Sequence, residues 1–100
     1  MSPKIIYRPA AEADLRNIYS YIAQDSRDNA LRFVERIRLR IDALAEFPNQ
    51  GTRCDHVRPG LRTFGFERRV TIVFHLVRDR VEVLRVLYGG RDLERAMRRN

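Results

Sequence analysis

The spacing of apolar residues changes twice along this chain, and each change marks a change of backbone geometry. Residues 4–8 (KIIYR) form a short apolar run stopped by Pro9, which predicts a first strand. Ala11, Leu15, Ile18, Tyr19 and Ile22 then recur at helical spacing. Glu12 and Asp14 lie in the first turn of that helix, where acids favour the positive end of its dipole. Asp25 and Ser26 interrupt the stripe and can cap a second helix. This second helix has the clearest stripe: Ala30, Phe33, Val34, Ile37, Ile41 and Leu44 share one side, while Arg32, Glu35, Arg36, Arg38, Arg40 and Asp42 lie largely off it. Residues 47–51 (FPNQG) end it. A link this short between two helices predicts an antiparallel hairpin.

After a polar loop carrying Cys54 and His56 the period falls to two. Leu61–Phe66 puts Arg62, Phe64 and Phe66 on one side. Val70, Ile72, Phe74 and Leu76 alternate with Thr71, Val73, His75 and Val77. In residues 81–88, Leu84, Val86 and Tyr88 stand opposite Val83, Arg85 and Leu87. The links Glu67-Arg68 and Arg78-Asp79-Arg80 are short and charged, so the three strands form a meander. Gly89-Gly90 ends it, and residues 91–99 read as a short final helix. The expected fold is α+β, in the order β-α-α-β-β-β-(α): an antiparallel sheet with an N-terminal helical hairpin packed on one face and the other face partly open. Residues 1–100 read as a single domain, since a chain of this length buries roughly 60–70% of its unfolded surface around one core.

Charge adds an asymmetry that the apolar pattern does not show. The chain carries a formal +7, with eleven Arg against five acids in residues 58–100 and nine basic residues against eight acids before them. That excess calls for a partner of negative charge engaged by the second half. Lys4 is the only lysine, and the arginines offer rigid forks suited to carboxylate and phosphate. No apolar run approaches the ~18 residues of a membrane span, so no membrane partner is expected. The N-terminus has no apolar signal region, and a lone Cys54 fits a reducing cytoplasm. Cys54-Asp55-His56 places its ligands too close, without a second cluster, to make a zinc site, so no metal is expected. With no glycine-rich phosphate loop and no helix-turn-helix signature, no cofactor is expected either.

Arg85 stands out because a charge among Val, Leu and Val in mid-strand is expensive without a partner. It can be salt-bridged to Glu67 or Glu82, covered by a partner protein, or in contact with a target. Tyr88 and Arg91 pair a stacking ring with a forked cation at the end of the sheet, a combination that suits protein or nucleic-acid surfaces, and Arg62 and Arg69 can join them on one face. His75, in mid-strand, reads as a half-buried hydrogen-bonded residue or a proton-transfer group, though it lacks an evident orienting partner.

This chain resembles the ParE/RelE superfamily of type II toxin–antitoxin toxins over nearly its whole length. The resemblance rests on Pro9-Ala10 followed by Asp14-Leu15, Ile18 and Tyr21-Ile22; on Leu44 with Phe47-Pro48 and Gly51; on Gly60-Leu61-Arg62; on residues 70–74; and above all on residues 83–92 (VLRVLYGGRD). The RelE-like members are metal-independent ribonucleases that cut messenger RNA, usually on the ribosome, and the ParE-like members poison DNA gyrase. Positions where the ribonucleases often carry a key arginine and a C-terminal tyrosine align with Thr71 and Met97 here, and their lysine pair is represented only by Arg62. These departures point to the ParE-like branch. The resemblance implies a gyrase-binding toxin without its own chemistry, whose target contacts are Arg62, Arg69, Arg85, Tyr88 and Arg91. It also implies a small acidic antitoxin (ParD-like or related) in a hetero-oligomer, gripping Leu15, Tyr19, Ile22, Phe33 and Ile37 on the hairpin and Arg85 on the sheet. On the alternative ribonuclease reading, Arg62, Arg85, Arg91 and His75 form the catalytic set. A third possibility is a toxin fold that binds its antitoxin without being toxic.

Overall fold

Strand β1 (Lys4–Tyr7) runs directly into helix α1 (Pro9–Ala23), and Pro9 marks the switch, because its fixed φ suits the first helical position, where no N–H is needed. The computed structural model describes residues 3–90 and 93–98. Helix α2 (Arg27–Asp42) starts at Ser26, whose hydroxyl accepts the Asn29 N–H at 3.1 Å, and it tightens into a single 3-10 turn at Ala43–Ala45. Strands β2 (Thr52–Arg53), β3 (Leu61–Phe66), β4 (Val70–Val77) and β5 (Arg80–Tyr88) follow, and helix α3 (Leu93–Met97) comes last. Among the described residues no helix is long and apolar enough to cross a membrane.

The five strands form one sheet in the order β1-β5-β4-β3-β2. The meander from β3 to β5 is antiparallel as expected, β2 extends it antiparallel to β3, and β1 adds to β5 in parallel, making the whole sheet mixed. Two details were not visible in the alternation of residues. The loop after α2 contributes the short strand β2, and β5 carries a bulge: Val73 pairs with Arg85 while Phe74 pairs with Val83, so Leu84 is the extra residue. The bulge breaks strict alternation. Val83 joins Val81, Val86 and Tyr88 toward the helices, and Leu84 joins Leu87 on the opposite face.

The hairpin packs its stripe onto the sheet. Leu15, Ile18, Phe33, Ile37, Ile41 and Leu44 meet Val70, Ile72, Phe74, Val81, Val83 and Val86 in one core. A second, smaller cluster lies on the other face, where Leu61, Val73, Leu84 and Leu87 are covered by Cys54 and Met97, with Val57, Leu93 and Ala96 at its margin. The face expected to be bare is therefore roofed at its centre by α3 and the loop before β3, because Leu61, Val73, Leu84 and Leu87 make that face apolar too. The Cys54 thiol lies 3.7 Å from the Thr63 hydroxyl and from the Thr52 carbonyl. Among the described residues no group of His, Cys, Asp and Glu could hold a metal.

Two glycines test how tightly the loops close on the sheet. Gly51 (φ +90) and Gly60 (φ +81) both sit in the left-handed region, but a Cβ on Gly51 would lie 2.6 Å from the Thr63 carbonyl oxygen, whereas a Cβ on Gly60 meets nothing within 4 Å. Gly60→Ala is expected to cost about 1–2 kcal/mol through backbone conformation alone. Gly51→Ala should cost at least about 1 kcal/mol more, because the loop must also move off β3. Urea midpoints measure both, and equal losses would contradict the close approach.

Candidate functional site

Asp14 and Arg85 meet where the pairing of β1 ends. The last bond of that parallel ladder is the Arg8 N–H to the Val83 carbonyl, at 2.9 Å. Strand β5 continues to Tyr88 without β1 beside it. Asp14 takes over the edge from α1: its Oδ2 accepts the Val86 N–H at 2.8 Å and the Arg85 Nε–H at 2.7 Å, while Oδ1 accepts from a terminal Arg85 nitrogen at 2.8 Å. The other terminal nitrogen of Arg85 donates to the Ala96 carbonyl in α3 at 3.3 Å. Both side chains are largely buried, at 16% and 7% exposure. The two-pronged bond to Asp14 raises the pKa of Arg85 further, so the guanidinium is charged at every relevant pH. Position 14 falls on the buried stripe of α1 rather than in a solvated first turn. The salt-bridge partner expected for Arg85, Glu67 or Glu82, is thereby corrected to Asp14.

Beside this clamp, α1 and the free stretch of β5 enclose a groove of about 340 Å3, lined by Asp14, Asn17, Ile18, Tyr21, Val86 and Tyr88. Tyr21 is 61% exposed, and its ring lies 5.7 Å from that of Tyr88. Tyr88 also meets Phe33 edge-on at 6.3 Å. Arg69 lies over the same Phe33 ring, 5.2 Å from its centroid, with Arg36 at 5.4 Å. The β3–β4 turn aims these groups: Glu67 (φ 50) and Arg68 (φ 57) both adopt left-handed backbone, closed by the Arg69 N–H to Phe66 carbonyl bond at 3.1 Å. That geometry favours Asn-Gly and costs side-chain-bearing residues about 1–2 kcal/mol each. Glu67 compensates in part by binding Arg36 through two bonds of 2.7 and 2.9 Å, and this hydrogen bonding lowers its pKa.

The remaining sequence candidates do not gather here. Arg62 sits at the start of β3, donating to the Asn49 carbonyl at 3.0 Å, whereas Arg69 lies just past the far end of the same strand. His75 is on the opposite face, where its Nε2 is 3.1 Å from Glu82, which also accepts from Arg80 at 2.8 Å. Arg80 first, then His75, holds the Glu82 carboxyl below its ordinary value of 4.5. Arg91 lies outside the described residues. Arg62, Arg69, Arg85 and Tyr88 thus do not share one exposed face; Arg69 and Tyr88 meet around Phe33, and Arg85 is turned inward. The hairpin expectations divide as well. Leu15, Phe33 and Ile37 are core residues that hold the helices to the sheet, so their side chains cannot be a docking surface, while Tyr19 and Ile22 keep partial exposure. Asp14, Tyr21 and the Glu67-Arg68 link were noted in the sequence, but not as site residues. For Asp14 the available signal was an acid on the apolar stripe of α1, matching the charge of Arg85 among apolar residues in β5.

A family model described as the ParE toxin of type II toxin–antitoxin system, parDE, matches residues 5–93. Toxin ParE1 of Mycobacterium tuberculosis, from the CDC 1551 and H37Rv strains, is 28% identical over 96 residues, spanning 95% of this chain and 98% of that toxin. In the solved structure of the chromosomal ParDE TA system from P. aeruginosa, one chain superposes with a TM-score of 0.76 at 26% identity, covering 89% of this chain and 98% of that one.

Removing one side of the clamp should be severe. Asp14→Ala leaves a buried guanidinium and the Val86 N–H without their acceptor and is expected to cost about 3–5 kcal/mol in denaturant unfolding. A loss below about 1 kcal/mol would mean that the pair is replaceable by water. The Glu82 cluster sets an acid limb: a lowered carboxyl pKa stabilises the fold above the ordinary value of 4.5, and that stability is lost as pH falls through the folded-state value. Glu82→Gln should therefore flatten the decline in melting temperature on acidification below that range.

Proposed function

Because the chain belongs to the ParE toxin family of type II toxin–antitoxin systems, we propose that it arrests growth by binding and poisoning DNA gyrase in the cytoplasm, and that a cognate ParD-like antitoxin silences it as a hetero-oligomer. The observation that carries the choice of mechanism is the engagement of Arg85. A ribonuclease of the related branch would need this arginine for phosphate or developing charge, and here Asp14 and the Ala96 carbonyl occupy its donors. Arg62 and His75 are held by partners of their own on different parts of the sheet. Met97, at the position aligned with the ribonuclease tyrosine, is buried in the second cluster. General acid–base chemistry needs its groups within reach of one proton, and these groups are dispersed. A toxin that acts by occupying a surface has no such requirement.

Exposed Tyr21 and Arg69, together with the half-buried Tyr88, supply that surface. Tyr21, Tyr88 and Arg69 offer rigid rings and a fork at one end of the molecule, the residue types that dominate binding energy at protein interfaces. The half-exposed Tyr19 and Ile22 extend it along the hairpin, where an amphipathic antitoxin helix can lie.

Purified protein added to gyrase and relaxed plasmid should block supercoiling and accumulate cleaved DNA. Induction in cells should trigger the DNA-damage response before translation falls. Fresh cuts within translated messages, with gyrase unaffected, would instead establish the ribonuclease reading. Harmless induction of folded protein would leave only antitoxin binding.

A further inference from the structure

At the corner where the α1–α2 link meets the β3–β4 turn lies a cavity of about 250 Å3. Three guanidinium groups line it, and they differ in what holds them. Arg36 is already bonded twice to Glu67. Arg32 is oriented by one bond to the Asn29 side-chain carbonyl at 2.7 Å, and no carboxylate among the described residues reaches it. Arg69 is stacked over Phe33, and no carboxylate or carbonyl oxygen among the described residues bonds its side chain. Two forks are therefore held in place with their donors available. The left-handed backbone at Glu67 and Arg68 is a second observation at the same corner. Strained turns that keep charged residues where Asn-Gly would be easier cluster at functional sites. The bond between Glu67 and Arg36 also shows which chemistry fits this corner, a carboxylate gripped by a guanidinium.

We infer that this corner is a carboxylate-binding site, in which Arg32 and Arg69 take an acidic side chain from the antitoxin. The inference rests on the proposal that such a partner exists, and deepens it by naming where its charge is read. The surroundings favour a protein over a nucleic acid. Arg32, Arg36 and Arg69 stand against Asp25 and the bound Glu67, so the corner keeps one net positive charge, which a single carboxylate neutralises and a run of phosphates exceeds. A cavity of this size admits a side chain, not a stacked strand.

The experiment compares full-length toxin with Arg32→Gln/Arg69→Gln for binding to the cognate ParD-like antitoxin, with Arg16→Gln on the exposed side of α1 as control. The double variant should bind about tenfold more weakly or worse and with a shallower salt dependence, while the control matches the native chain. In parallel, arginine Nε–H signals are followed by NMR as a hexaglutamate peptide or hexathymidylate is added. Selective shifts of Arg32 and Arg69 with the peptide support the site. Shifts with the oligonucleotide alone, or with neither probe, overturn it. Unchanged affinity of the double variant for the antitoxin overturns the site but leaves the toxin reading standing. Absence of any complex with the native chain overturns that reading as well.

Discussion

One carboxylate holds three elements of this molecule in register. Strand β1 is four residues long and stops pairing at Val83, while β5 runs on to Tyr88. An unpaired strand edge in an apolar setting is both an energetic cost and a template for wrong pairing. Asp14 answers this by accepting the Val86 N–H from the side and fixing Arg85, which in turn reaches the Ala96 carbonyl of α3. The bulge at Leu84 belongs to the same arrangement: the extra residue resets the alternation so that Val83 and Val86 both face the helical core while Arg85 sits on the other face, opposite Val73. A buried ion pair adds little net stability compared with apolar packing, but it penalises every arrangement in which either charge is left alone. What it supplies here is a defined position of α1 against the sheet.

Charge is distributed differently from what a formal +7, most of it in the second half, suggests. Many arginines are engaged by other groups of the chain itself. Arg85 is clamped, Arg80 is tied to Glu82, Arg38 to Glu12, and Arg40 lies over the Phe64 ring while bonding Gln50. The centre of the sheet face away from the hairpin carries an apolar cluster under α3. Arg32 and Arg69, with donors to spare, lie at the end of the molecule bearing the β3–β4 turn, near the exposed ring of Tyr21 and the half-buried ring of Tyr88. A binding toxin needs such a localised surface more than it needs a uniformly basic face.

The hairpin and the strands at Leu61–Phe66 and Val70–Val77 were legible from hydrophobic period, because burial forces apolar residues to repeat with the backbone, and the Ser26 cap from its residue type; the two-residue strand β2 was not. The parallel placement of β1 was not, since a four-residue strand carries no signal of its neighbour. The bulge was hidden for a related reason: Val83, Leu84, Val86 and Leu87 are all apolar, and a run that is buried on both faces shows no phase. Site residues were less legible than the fold. Leu15, Phe33 and Ile37 lie on the same stripe as residues with partial exposure, and only packing separates a core position from a docking one. Arg85 was recognisable as a charge in need of a partner, but its partner lies 71 residues away. The acid at position 14 on the apolar stripe of α1 was the matching half, and two misplaced charges of opposite sign form a pattern that can be sought in any such chain.

Amide hydrogen exchange at Val86 tests the clamp most directly. If Asp14 holds the edge of β5, this N–H exchanges only when the whole domain unfolds, with the same protection as amides in the middle of β4. Exchange at the rate of an open strand edge would show that α1 is not fastened there, and the arrangement of the tyrosine groove and the arginine corner would lose its support.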